Sequence, residues 1–527
     1  MRSVAAVVSG LALSAAFEPL AFAWLLPFGV LGFALTTRGL TPRRSALVGL
    51  LFGAAFYFTH IAWMRSSIGA PAWLTLSTVE TLFYGALAAT LPLLRTLPAA
   101  PLWCAAGWAA MENLRSTWPL SGMPWGRLSF AVIDTPAAPA LAYVGMTGLS
   151  FALALLAFVL AEAIVAADRA RGGTGPRRVV LLPAVGAVLV GASILLPALA
   201  PVDLEYDGEA TVAVVQGDVP GPGNNILYDP PGVTANHVRA TIGLAEDVAA
   251  GREPRPDLVV WPENSTTSDP FEPGVVRDGI EEAVARIGVP VVVGAIVDDG
   301  PKHILNQGII WDPVTGPGQR YGKHHPVPYG EFIPWRNLWN PQFGRLGLIR
   351  RDVRPGTGAT PMEAAGLRFA DAICFDVAYD DVLPRQVRNG AQFLAVQTSN
   401  ASFIFTHQIE QQFAITRLRA IESGRWLAVA STNGLTGIID PDGRVVADAP
   451  ARTPRVLVER MGLSDELTPA LRMGEWPTRV FTGSFLVALV FGAVAYRRGR
   501  EFRGPLTTGG SAETPAPPPT TSEAPRG

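Results

Sequence analysis

Four side chains fall where chemistry could be built. Cys374 closes the apolar run "DAICFD" (371–376), and Glu263 closes "VVWPEN" (259–264). Lys323 and Glu331 share the loop sequence "RYGKHHPVPYGEFIP" (320–334). A thiol that attacks an acyl group needs a base, an oxyanion stabiliser and a positioned substrate. Glu263 could take the Cys374 proton. Lys323 and the backbone N–H of Phe375 could hold the developing oxyanion. A lysine beside the thiol would also favour the thiolate, and Glu331 could orient that lysine or an incoming amine. Each residue has a bland reading too. Free cysteine is commonly buried and inert, and an acid at a strand end or a lysine in a loop is ordinarily solvated. The rival is Cys–His chemistry through His324, His325 or His407, but no companion Asn or Asp signature accompanies them. Adjacent histidines point in different directions and make no standard metal pair, so no metal or other cofactor is expected. The other cysteine, Cys104 in "PLWCAAGW", reads as a small apolar residue in a helix.

These residues need a scaffold, and residues 205–475 offer one. Strand-like runs such as "ATVAVVQGD" (210–218), "VPVVVGAIV" (289–297) and "AQFLAVQTSN" (391–400) alternate with helix-like runs at 237–251, 274–288 and 406–425. That alternation predicts a layered α/β domain. The ends of buried strands are where such sheets present reactive groups. Glu263 and Cys374 sit at such ends, with Lys323 in a nearby loop.

The rest of the chain is a different material. Hydrophobic residues make up 49% of the 527 and charged residues 16%, with a net charge of −2. That balance carries no polyanion-binding signal and points to lipid rather than nucleic acid. Apolar blocks near the ~20 residues needed to span a bilayer occur at 3–17, 20–36, 46–64, 72–95, 98–114, 140–167, 178–200 and 479–496. Arg2, Arg38, Arg43, Arg44, Arg95, Arg169, Arg171, Arg177, Arg178, Arg497, Arg498, Arg500 and Arg503 flank them. With all eight blocks spanning, every one of these clusters falls on one side, the cytoplasm, together with both termini. The 205–475 domain then lies outside the cytoplasm. The organisation expected is spans 1–7 within 1–204, the α/β domain in 205–475, span 8 at 476–498 and a disordered cytoplasmic tail at 499–527. Residues 115–139 lie on the domain side. Trp118 and Trp125 suit a membrane interface there; composition alone favours an ordinary interfacial loop, and the functional alternative is an arm lying on the bilayer beside the reactive loops. Glu80 and Glu112, inside blocks, should pair within the bundle or lie near an interface.

The three reactive motifs resemble those of the nitrilase superfamily. Set among eight apolar blocks, they resemble the apolipoprotein N-acyltransferase family. "SGMPWGRLSF", "VGMTGLSFALALL" and "RLRAIESGRWLAVASTNGLTGIIDPDG" are similar to further stretches of that family. The resemblance implies an α-helical polytopic membrane bundle carrying an extracytoplasmic nitrilase-like αββα sandwich, in the bacterial cytoplasmic membrane. It implies that Cys374 takes an acyl chain from a phospholipid as a thioester and passes it to the amine of a diacylglyceryl-cysteine on an apolipoprotein. Glu263 would be the base, Lys323 the oxyanion partner and Glu331 the supporting acid. The family commonly carries Cys-Tyr-Glu where this chain has Cys374, Phe375 and Asp376, two positions expected to support the site or its substrate. The same triad would also serve a membrane-anchored amidase or nitrilase cleaving C–N bonds. A transporter with an extracytoplasmic binding domain is the non-enzymatic alternative, disfavoured by sparse intramembrane charge.

Overall fold

The computed structural model describes residues 1–172, 178–342 and 344–501. The N-terminal part is helical: α1 (Arg2–Ala15), α2 (Leu26–Thr36), α3 (Pro42–His60), α4 (Trp63–Ser67), α5 (Ala70–Leu94), α6 (Ala100–Arg115), α7 (Leu141–Arg171) and α8 (Arg178–Leu195). Small residues let these helices approach closely. A Cβ on Gly10 of α1 would lie 2.3 Å from the Phe52 carbonyl of α3, and one on Gly49 of α3 would lie 2.5 Å from that of Tyr84 of α5. At one end of the bundle Arg2 donates to the Arg38 carbonyl, Arg38 pairs with Glu162, and Arg95 donates to the carbonyls of Ala34 and Thr37. The opposite end meets the α/β domain.

The domain holds two mixed sheets. The first is built from β1 (Gly208–Gln216), β2 (Leu258–Val260), β3 (Val291–Asp299), β4 (His303–Asp312), β5 (Gly316–Gly322) and β6 (Asp352–Val353). The helices α9 (Pro230–Ala249) and α10 (Val275–Ile287) pack against it through Leu244, Ile280 and Val284. The second comprises β7 (Met362–Ala364), β8 (Leu367–Ile373), β9 (Phe393–Thr398), β10 (Leu427–Ser431), β11 (Thr436–Ile439) and β12 (Val445–Ala449). Here α11 (Leu383–Arg388) lies beside β8, and α12 (Gln408–Ser423) runs between sheet and bundle. Last come β13 (Arg455–Leu463), α13 (Pro469–Met473) and α14 (Trp476–Glu501). The sheet orders are β13-β1-β2-β3-β4-β5, with β6 on β4, and β12-β11-β10-β9-β8-β7. Parallel β1-β2-β3 and β8-β9-β10 are near-continuous Val, Ile, Leu and Ala, as strands buried on both faces must be. Where the sheets meet, Gln397 donates to the Trp261 carbonyl at 2.5 Å.

All eight apolar blocks contain helix. Among the described residues, four helices are long and apolar enough to cross a membrane: Ala70–Leu94, Ala138–Arg171, Val180–Leu199 and Trp476–Gly499. Arg2–Ala15 and Ala23–Thr36 are apolar but shorter. The last helix runs on to Glu501, past the expected start of the tail; residues 502–527 lie outside those described. Strand β5 was not expected, because "GPGQRYG" has turn composition; its pairing with β4 overrides that local preference.

Two expectations about polar groups in the bundle resolve differently. Glu80 and Glu112 are buried and do gather with Arg115: Glu80 lies 3.6 Å from it, and Glu112 accepts from Trp108 Nε1 and from the Leu128 amide, each at 2.9 Å. Arg115 donates to the carbonyls of Met123 (2.8 Å) and Trp125 (2.7 Å), so the buried charge holds the arm that follows α6. Trp118 is exposed, as an interfacial residue should be. Trp125 is buried, because that grip turns it inward towards the domain.

Candidate active site

Glu263 follows β2, Lys323 follows β5 and Cys374 follows β8, and all three are buried. The fold draws the two carboxylates and the ammonium into direct contact. Lys323 Nζ is 3.0 Å from Glu263 Oε1 and 2.9 Å from Glu331 Oε1. Asn306 of β4 donates through Nδ2 to Glu263 Oε1 (2.8 Å) and Glu331 Oε1 (3.1 Å). The remaining oxygens accept backbone amides, Glu263 Oε2 from Ser399 (2.9 Å) and Glu331 Oε2 from Val327 (2.7 Å). Buried charge is tolerated only when paired and hydrogen-bonded in this way. Burial opposes the Lys323 charge, but Glu263 and Glu331 outweigh it and hold the ammonium well above the ordinary lysine range. Burial, helped by Glu263 and opposed by Lys323, raises the Glu331 carboxyl.

Cys374 begins a tight 3-10 turn, Cys374–Ala378, with φ +55°. A non-glycine residue in the left-handed region is strained, and such strain is held in place at functional sites. Here the turn reverses the chain as it leaves β8. Burial foremost, with the Glu263 charge next and Lys323 opposing, pushes the Cys374 thiol far above its usual range. The environment thus favours the neutral thiol over the thiolate. Sγ lies 3.7 Å from Gln412 Oε1 of α12, and Gln412 donates to Thr398 Oγ1 at the end of β9 (3.0 Å).

The two residues after the cysteine have separate tasks. Asp376 is fully buried, and its carboxylate ties the cysteine turn to the Lys323 loop. Oδ1 accepts the His325 amide (2.8 Å), while Oδ2 accepts Tyr321 Oη (2.7 Å), the His324 amide (3.2 Å) and the Ile373 amide (3.3 Å). Phe375 stacks on Trp125 of the arm, with centroids 4.5 Å apart, and lies 6.1 Å from Phe403. The histidines sit elsewhere. His324 and His325 both turn to Asp381 (3.5 and 2.9 Å) and His407 is exposed; none is hydrogen-bonded to Cys374. Asp381 holds His324 up at about 9.

Sequence reasoning placed Glu263, Lys323, Glu331 and Cys374 but missed Asn306, Gln412 and Thr398. Asn306 is a polar residue inside "ILNQG", where alternation alone makes it an ordinary strand residue. Its signal would have been burial, because an amide inside a strand core needs partners.

The comparisons agree with this architecture. A family model described as the apolipoprotein N-acyltransferase N-terminal domain matches residues 9–159, and one described as carbon-nitrogen hydrolase matches 211–465. The chain is 36% identical over 490 residues to an apolipoprotein N-acyltransferase of Mycolicibacterium smegmatis, covering 89% of this chain and 81% of the relative. It is 31% identical to one of Azotobacter vinelandii (91% and 93% covered) and 30% identical to one of Ralstonia nicotianae (90% of each). With helical bundle and hydrolase domain matched together in full-length relatives, the chain belongs to the apolipoprotein N-acyltransferase family, acyltransferases of the nitrilase superfamily.

Proposed function

We propose that this protein transfers a fatty acyl chain from a membrane phospholipid, through a thioester on Cys374, to the N-terminal amine of a diacylglyceryl-cysteine on an apolipoprotein. The observation that carries this reading is a buried thiol beside a buried Glu263–Lys323–Glu331 cluster, set where the domain meets an apolar bundle. Glu263 removes the Cys374 proton as sulfur attacks the ester carbonyl. Lys323 balances the oxyanion, a fixed charge in a site sheltered from water. Collapse breaks the ester C–O bond, and Glu263 returns its proton to the departing glycerol oxygen, giving a lysophospholipid and the thioester. The acceptor amine then attacks the thioester while Glu263 takes an amine proton. Expulsion of sulfur forms the amide, and that proton restores the thiol. No cofactor enters the balance.

Both substrates carry long chains, and leaving the bilayer costs about 0.8 kcal/mol per CH₂, so chemistry at the membrane surface is the economical arrangement. In this reading all eight apolar helices span. The end of the bundle bearing Arg2, Arg38 and Arg95 faces the cytoplasm, and the domain at the other end is extracytoplasmic. The bridging arginines at that end support the orientation. Mass spectrometry of the full-length protein incubated with phospholipid vesicles tests the chemistry. An acyl mass on the Cys374 peptide, labile to hydroxylamine and missing from Cys374→Ala, is expected. Ammonia release from small amides with no acyl-enzyme from lipid would replace this reading with the amidase one.

A further inference from the structure

The arm between α6 and α7 touches the nucleophile's turn at Phe375 and the two residues just after that turn, Tyr379 and Asp380. Trp125 stacks on Phe375, the Gly122 carbonyl accepts Tyr379 Oη (3.3 Å), and Arg127 pairs with Asp380 (2.8 Å). Only the last is charged, and its geometry is two-handed. The Arg127 guanidinium is 2% exposed; one nitrogen reaches Asp380 and the other reaches Thr147 Oγ1 of α7 at 2.9 Å. Asp380 also accepts from Arg419 of α12 (2.9 Å). Arg419 in turn donates to the carbonyls of Val377 (2.8 Å) and Ala378 (3.0 Å), inside the Cys374 turn, and to Glu422 (2.6 Å). Glu422 accepts the Met146 amide (3.0 Å) just after the break in α7, where Gly145 takes φ +67°. A continuous hydrogen-bonded chain, charged at Arg127, Asp380, Arg419 and Glu422, thus links α7, the arm and α12 to the turn that carries the nucleophile.

We propose that Arg127 is a positioning residue for acyl transfer, whose fork to Asp380 and Thr147 holds Trp125 against Phe375 as the wall along which a phospholipid acyl chain approaches Cys374. The proposal rests on the phospholipid reading above. A rigid fork is suited to bridging two elements, whereas a lysine point charge serves one. The domain's own brace is independent of the arm: without Arg127, Asp380 keeps Arg419, and Arg419 keeps the turn carbonyls. Arg127→Met therefore removes the arm's charged tie to Asp380 and loosens the Trp125–Phe375 stack, while the Arg115 grip on the Met123 and Trp125 carbonyls and the nucleophile's own support stay in place.

The test compares two reactions of Cys374 in full-length protein: thioester formation from phospholipid vesicles, and alkylation by iodoacetamide, which needs no chain-binding wall. Arg127→Met is expected to slow acylation on the order of tenfold or more, the scale of a displaced reacting group. Alkylation should stay within about twofold or rise as Trp125 lifts away. Arg127→Lys should recover part of the acylation by keeping Asp380 while losing Thr147. Acylation of Arg127→Met at the wild-type rate overturns the proposal. So does a parallel fall of acylation, alkylation and melting temperature, which is the signature of a structural brace. Wild-type protein that forms no thioester overturns the function along with it. A wild type that acylates beside an unaffected Arg127→Met removes this inference alone.

Discussion

Asp376→Asn is the sharpest perturbation of the site, because one carboxylate joins the Lys323 loop to the Cys374 turn. The wild-type side chain accepts four hydrogen bonds: from His325 N at Oδ1, and from Tyr321 Oη, His324 N and Ile373 N at Oδ2. Asparagine supplies one acceptor oxygen and one donor. Its cheaper orientation keeps oxygen at the crowded Oδ2 position and turns the NH₂ towards the His325 amide, donor against donor. A buried donor left without a partner costs about 1–3 kcal/mol, and three bonds each fall from charge-assisted to neutral strength, a loss of ~1 kcal/mol apiece. The sum is about 4–6 kcal/mol before relaxation, and relaxation should leave roughly 3 kcal/mol. For a domain of this size that corresponds to a melting temperature lower by about 6–12 °C. Because the Lys323 loop and the Cys374 turn lose their shared tie, thioester formation should fall ~10–100-fold, as for a reacting group displaced by a fraction of an ångström to an ångström. Asp376→Glu keeps the charge and adds one methylene, so it should cost about 1–3 kcal/mol by overpacking and retain most of the rate. The assays are thermal unfolding of full-length protein in detergent and the Cys374 acylation rate from phospholipid. An Asp376→Asn protein that melts within 2 °C of wild type by that ~1 kcal/mol criterion and acylates normally would refute the reasoning.

Lys323→Met leaves Glu263 and Glu331 buried with only Asn306 between them; about 3–5 kcal/mol should be lost at neutral pH. Glu331, already raised by burial, then loses the Lys323 charge that opposed that rise, so it holds its proton more tightly folded than unfolded and the loss should shrink as pH falls towards 5, read as melting temperature against pH. Asp371 is buried on β8 with neither carboxyl oxygen hydrogen-bonded, and burial foremost, then Asp376, raises its pKa well above the usual range. It is protonated when folded but ionised when unfolded above about pH 4, so it subtracts up to ~1.4 kcal/mol per pH unit as pH rises towards its folded value. Asp371→Asn should abolish that slope and gain stability over wild type between pH 5 and 8; parallel curves would refute it. Trp125→Ala removes the stack on Phe375, worth about 0.5–1.5 kcal/mol beyond the buried area, and should speed iodoacetamide alkylation of Cys374.

What could be read in the sequence follows from how each signal is written. Glu263 and Cys374 close apolar runs, so strand ends announced them, and Lys323 shares a loop with Glu331 near a glycine. Asn306, Thr398 and Gln412 lie inside a strand, at a strand's last residue and on an amphipathic helix, where one polar residue looks like any other. Their roles exist only once β4, β9 and α12 converge. Composition puts Trp125 at a membrane interface, but the Arg115 grip on two arm carbonyls turns it inward, onto Phe375. The bundle was visible as apolar blocks, but helix length was not. α1 and α2 are 14 and 11 residues long; the chain after α1 runs into Glu18-Pro19, and α2 stops at Thr37-Arg38-Gly39.

Gln411 and Gln412 are neighbours on α12, about 100° apart around the helix. Gln411 donates to the carbonyls of Glu18, just after α1, and His60, at the end of α3, and accepts from Trp63 of α4, while Gln412 faces Cys374 and Thr398. The same helical turn is thus docked to the bundle and to Cys374, and a one-residue slip would spoil both fits. Bundle and hydrolase domain are accordingly not interchangeable modules. A chimera that grafts a soluble relative's domain onto this bundle would have to bring a matching α12, and two unrelated surfaces of that helix would have to be inherited together.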